Sequence, residues 1–196
     1  MKVFGDLKSG NCLKVKWTAE LLNVPFTWQT VDMMTGETRT AEYLERFPFG
    51  QVPAVIFEDG RTLAQSNAII RYLARGSRLI PEDAFAEAKV DEWLFWEQYS
   101  HEPYIAVCRF HMVYKEHPKE TREGWRVERG EAALDVMERH MAGRDWFAGQ
   151  GMTIADIALL AYTRVAHEGG FDLSARPRLR GWIARAETEL NLAAAA

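Results

Sequence analysis

The sequence predicts an α/β unit followed by an all-α unit, and three observations predict it. Strand-like and helix-like runs alternate over roughly the first 75 residues, and past Pro81 only helical periodicity remains. Between the two textures lies Arg75-Gly76-Ser77-Arg78-Leu79-Ile80-Pro81, whose Gly and Pro neither continue a helix nor readily open a strand. The chain's 196 residues suffice for one large domain or two small ones, and this reading divides them into 1–76 and 82–196.

Lys2 to Phe4 reads as a short strand, and Cys12, Val15, Ala19 and Leu22 recur at helical spacing over Asn11 to Leu22. Asn23-Val24-Pro25 breaks that helix. Phe26 to Val31, rich in aromatic and β-branched residues, supplies a second strand parallel to the first. Thr40 to Arg46 is a short helix. Ala54 to Phe57 and Thr62-Leu63 flank Glu58-Asp59-Gly60-Arg61, where Asp-Gly accepts the positive φ of a tight hairpin. Ser66 stands as N-cap before Asn67 to Ala74, which buries Ile69, Ile70 and Leu73. The first unit therefore reads β-α-β-α-β-β-α.

The second unit holds Phe85 to Tyr114, with a kink expected at Pro103, then Lys119 to Met141, Thr153 to His167 and Arg178 to Leu190. Thr153-Ile154-Ala155-Asp156 precedes an apolar run, so Thr153 can cap the helix while Asp156 returns a bond to its amide. Ala193 to Ala196 reads as a frayed end.

Lys+Arg total 24 and Asp+Glu 28, a net charge of −4, so no overall positive field exists to hold phosphate backbones or an anionic membrane. No stretch approaches the about 18 apolar residues of a membrane span, and MKVFGDLKSG lacks the flank and apolar run of a secretory signal. A soluble, cytoplasmic protein that binds neither nucleic acid nor membrane is expected. Cys12 and Cys108 form no CxxC, and His101, His111, His117, His140 and His167 form no HxxxH or HExxH, so no metal is implied.

Three motifs carry a resemblance over nearly the whole chain: Ser9-Gly10-Asn11-Cys12 between first strand and first helix, Gln51-Val52-Pro53 before the third strand, and Gln65-Ser66-Asn67 opening the third helix. With the Thr153 to Asp156 box, their order and spacing resemble the cytosolic glutathione transferases, bacterial members included. The resemblance implies a thioredoxin-like first domain that binds glutathione, and an all-helical second domain with the electrophile site. It also implies a homodimer, and detoxification by conjugation of glutathione to small electrophiles.

The same resemblance makes Pro53 cis, so that Val52 presents its backbone to the peptide ligand as an added strand would. It puts Gln51, Gln65 and Ser66 in the glutathione site, where a helix N-terminus suits the γ-glutamyl carboxylate. Ser9 is placed like the catalytic serine of the serine-type classes. Asn11 is placed like the asparagine of the nu-type enzymes, whose Thr-Pro-Asn-Gly-X-Lys run is similar to Ser9-Gly10-Asn11-Cys12-Leu13-Lys14. Both are the expected thiolate donors. Lowering a thiol from about 8.5 by two units takes about 2.7 kcal/mol, and a charge-assisted hydrogen bond contributes roughly 1.5–3 kcal/mol. One donor and a helix N-terminus therefore suffice.

The sequence departs from the cysteine and tyrosine classes, having Gly10 at the position of the first and Gly5-Asp6-Leu7 where the second carry tyrosine. Cys12 shares a stripe with Val15, Ala19 and Leu22 and reads as a core residue. For the second substrate, Tyr104 and Arg109 are the candidates in the helical domain. Two alternatives stand beside conjugation: glutathione-dependent reduction of disulfides or peroxides, suggested by Asn11, and a non-catalytic binding module of the same fold.

Overall fold

The computed structural model describes residues 1–194, so Ala195 and Ala196 of the expected frayed end lie outside the described residues. The chain divides into a unit of Met1–Ser77 and a second that begins at Arg78.

In the first unit, β1 (Lys2–Gly5) leads into α1 (Gly10–Leu21), then β2 (Thr27–Thr30), α2 (Ala41–Arg46), β3 (Ala54–Ile56), β4 (Thr62–Ala64) and α3 (Ser66–Leu73). The sheet order is β2-β1-β3-β4, with β2 parallel to β1 and the other neighbours antiparallel. Pairing of Phe4 with Ala54 and of Val3 with Val55 sets the two faces, because side chains alternate along a strand. Phe4 and Ala54 pack with Tyr43 and Phe47 of the α2 segment. Val3 and Val55 are wholly buried on the other face, where α1 and α3 pack together. Gly5 follows the same alternation: a Cβ there would stand 2.8 Å from the Trp28 ring and 3.1 Å from Cys12 Sγ, so only glycine closes this strand.

The hairpin turns as expected at Asp59-Gly60, with Gly60 at φ 82°. The start of α3 differs from expectation. Gln65, at φ 70°, is its N-cap residue and Ser66 its first helical residue, so the Ser66 hydroxyl does not cap the helix.

In the second unit, α4 (Ala84–Trp96) runs through a π-helical turn, Glu97–His101, into α5 (Glu102–Val113). The irregularity expected at Pro103 thus falls upstream of it. Proline lacks the N–H that would reach back four residues, and its ring crowds that carbonyl, so the preceding turn widens. Next come α6 (Gly124–His140), α7 (Ile154–Thr163) and α8 (Pro177–Glu189). Every residue of α7 is buried, and its N-terminus carries the expected capping box. Asp156 Oδ1 also accepts from the Phe147 amide and the Trp182 indole, each at 3.0 Å, tying α8 and the preceding loop to α7. No helix of the described residues is long and apolar enough to cross a membrane.

Candidate functional site

Two helix N-termini of the first unit meet. Ser9 caps α1: its Oγ accepts from the Cys12 amide at 3.4 Å, and its hydroxyl also bonds the Cys12 thiol. Asn11 lies in the first turn, and Ser66 Oγ, at the head of α3, donates to Asn11 Oδ1 at 3.0 Å. With the oxygen end of the amide so held, an anion can be stabilised by Asn11 only through its Nδ2 hydrogens. Both ends carry the partial positive charge of the helix dipole and first-turn N–H groups that have no intrahelical acceptor.

Beside them the loop before β3 is fixed from two sides. Tyr43 Oη donates to the Gln51 carbonyl at 2.9 Å, and Gln65 Nε2 donates to Gln51 Oε1 at 3.1 Å. The Val52–Pro53 bond that follows is cis. Burial holds the Tyr43 phenol neutral, far above its ordinary titration range, so it serves here as a permanent donor. Sequence reasoning missed Tyr43, because its spacing marks only the apolar face of α2. Lys14 of the Ser9 to Lys14 run is wholly buried, and its ammonium donates to Asn67 Oδ1 at 3.4 Å.

The motif residues Ser9, Asn11, Gln51, Val52, Pro53, Gln65 and Ser66 are thus gathered in one unit, and the Ser66–Asn11 and Gln65–Gln51 bonds join the motifs. Tyr104 and Arg109 lie in the other unit. Tyr104 is half-buried, and its hydroxyl accepts from Arg129 at 3.1 Å. Arg109 is 7% exposed and ion-paired with Glu168, which holds α5 to the turn at 166–169.

Cys12 is fully buried and its thiol pushed up to about 11, chiefly by loss of solvent, against bonds from the Asp6 amide and Ser9 that favour the thiolate. It stays protonated at neutral pH. Among the described residues no cluster of three His, Cys, Asp or Glu could hold a metal ion. The unit is of the thioredoxin-like class, with its own thiol at this helix end buried and protonated.

The models of the glutathione S-transferase N-terminal and C-terminal domains match residues 9–75 and 119–185. The fold is similar to that of a glutathione S-transferase from Pseudomonas fluorescens, 46% identical with a TM-score of 0.92 over 95% of this chain and 94% of that one. It is likewise similar to a possible glutathione S-transferase from Rhodopseudomonas palustris, 39% identical with a TM-score of 0.93 over 98% and 96%. Glutathione S-transferase 3 of Zea mays is 30% identical over 93% of this chain and 86% of its own length. The chain belongs to the glutathione S-transferase family, and is an enzyme with glutathione as its co-substrate.

Proposed function

We propose that glutathione binds the first unit with its sulfur at the head of α1 and its γ-glutamyl carboxylate at the head of α3. Val52 then pairs with the peptide backbone beside cis-Pro53. The Ser9 hydroxyl and Asn11 Nδ2 donate to the sulfur, lower its pKa and leave a thiolate at neutral pH. The sulfur attacks a small electrophile; Tyr104 and Arg109 are the candidate second-substrate residues of the helical unit. With a chloroarene the carbon–sulfur bond forms, the carbon–chlorine bond breaks, chloride leaves with the electron pair, and the thiol proton has gone to water.

The observation that carries this reading is the Ser66–Asn11 bond, which couples the proposed carboxylate site to the proposed thiolate site. Gln51 and Gln65 support the peptide between them through their own bond. We further place the enzyme in the cytoplasm as a homodimer. Phe85 and Phe95, 75% and 76% exposed, offer the helical unit an apolar surface for a second copy.

The test is turnover of the purified chain with glutathione plus a chlorodinitrobenzene, side by side with glutathione plus a small disulfide. Faster conjugation is expected. Faster disulfide reduction would replace conjugation as the reaction, and no glutathione binding would undo the site. Light scattering on the same preparation reads the dimer.

A further inference from the structure

In the helical unit, the end of α7, the chain that follows it and one face of α8 border a cavity of about 280 Å³. Helical spacing sets the α8 side: Arg180, Ile183, Ala184 and Glu187 stand at i, i+3, i+4 and i+7 and so share a face. The floor is apolar, made by buried Phe171 and Ile183. The charged groups around it are unequally committed. Arg164 Nε donates to Glu187 Oε1 at 2.8 Å, and its guanidinium also donates to the Ala193 carbonyl at 2.6 Å. Asp172 accepts from both the amide and the hydroxyl of Ser174, and these bonds, with Arg176 and Lys119 nearby, hold its carboxyl below the usual range. Arg180 and His167 are exposed, and among the described residues neither side chain has a hydrogen bond or an ion pair.

An uncommitted guanidinium and imidazole beside an apolar floor suit an anion with a compact apolar body. The guanidinium fork matches a carboxylate, and the imidazole adds an N–H donor in either protonation state. Inorganic phosphate fits less well, because it has no apolar surface to bury against Phe171 and Ile183. Small-molecule sites usually span about 300–1,000 Å³, and a cavity at the lower end of that range takes one ring or a short chain. Asp172 opposes an anion, but Ser174 and the surrounding cations already answer its charge. We propose that this cavity is a binding site for small monocarboxylates, held by Arg180 and His167 over Phe171 and Ile183. The site lies wholly within the helical unit and does not depend on where glutathione binds. The competing view makes Arg180 an ordinary solvated cation beside a surface cleft.

The test titrates the purified full chain with 4-fluorophenylacetate and follows the ligand by fluorine NMR. Saturable binding is expected, weakened about fivefold in Arg180→Gln, the size of an exposed ion pair. Arg180→Lys should recover part of the loss, because the charge returns without the fork. Ala184→Leu should abolish binding by filling the cavity from α8 while Arg180 stays in place. Arg180 and Ala184 are both exposed, so neither substitution opens the packed core, and matching melting curves by circular dichroism verify each variant's fold. The neutral 4-fluorophenethyl alcohol should bind more weakly than the acid, and inorganic phosphate at equal concentration should not displace the acid. Binding that is absent, or unchanged in either Arg180→Gln or Ala184→Leu, overturns the site. Equal binding of the alcohol, or displacement by phosphate, overturns the assignment to organic carboxylates.

Discussion

Ser66 Oγ donates to Asn11 Oδ1 at 3.0 Å across 55 positions of sequence, and this bond sets which end of the asparagine amide a ligand can meet. Removing the hydroxyl should loosen Asn11 and weaken the proposed glutathione site. Ser66→Ala is expected to raise the glutathione dissociation constant by about fivefold, the value of one ordinary hydrogen bond. Titration calorimetry reads it, and unchanged affinity would take Ser66 out of the site.

Ser9 and Asn11 are the two proposed donors to the sulfur, and each should account for a separable part of the thiol's acidity. A lost charge-assisted bond raises the pKa of bound glutathione by about one to two units. Ultraviolet absorbance of the thiolate against pH, on Ser9→Ala and Asn11→Ala complexes, measures this. The rate profile for conjugation should move to higher pH by the same amount. If neither substitution moves the thiolate curve, both donors are misassigned.

What could be read in the sequence depended on how far apart the partners stand. The Asp59-Gly60 turn and the Thr153 to Asp156 box were legible because each is decided within four residues. The bonds that join motifs were not: Ser66 to Asn11, Tyr43 to Gln51 and Arg109 to Glu168 form only once the chain has folded back on itself. Arg109 is an example: its sequence position in the helical domain shows nothing of its pairing with Glu168, 59 residues away. The π turn at Glu97–His101 was likewise invisible, because Pro103 distorts the turn before it while the apolar spacing continues.

His140 gives the fold a pH dependence of definite sign. Its ring stacks on Phe147 at 5.3 Å and its Nε2 bonds the Phe147 carbonyl at 3.0 Å. Burial lowers its pKa below the ordinary 6.5, the carbonyl bond opposing only in part. The unfolded chain therefore takes up a proton that the folded one resists, so stability falls as pH drops below about 6.5. The loss stops growing once pH passes the folded value. One proton limits the slope to about 1.4 kcal/mol per pH unit. Denaturant midpoints should thus fall in that window for the parent chain and stay flatter for His140→Phe. Parallel slopes would assign the effect to another group.

Two helical glycines should answer the same substitution differently. Alanine is favoured over glycine in a helix interior by about 1 kcal/mol. At Gly181 in α8 nothing lies within 4 Å of an added Cβ, so Gly181→Ala should stabilise by up to that amount. At Gly130 in α6 the added carbon would stand 2.5 Å from Phe171 Cε1. Phe171 is 2% exposed with the Arg122 guanidinium 5.6 Å from its ring, so the ring has little room to withdraw. Overpacking of this kind costs about 1–3 kcal/mol, which meets or exceeds the propensity gain. Gly130→Ala is therefore expected to leave the protein no more stable, and up to about 2 kcal/mol less, by urea unfolding. A Gly130→Ala variant stabilised as much as Gly181→Ala would show that Phe171 gives way freely, and that α6 tolerates a side chain where glycine now admits the ring.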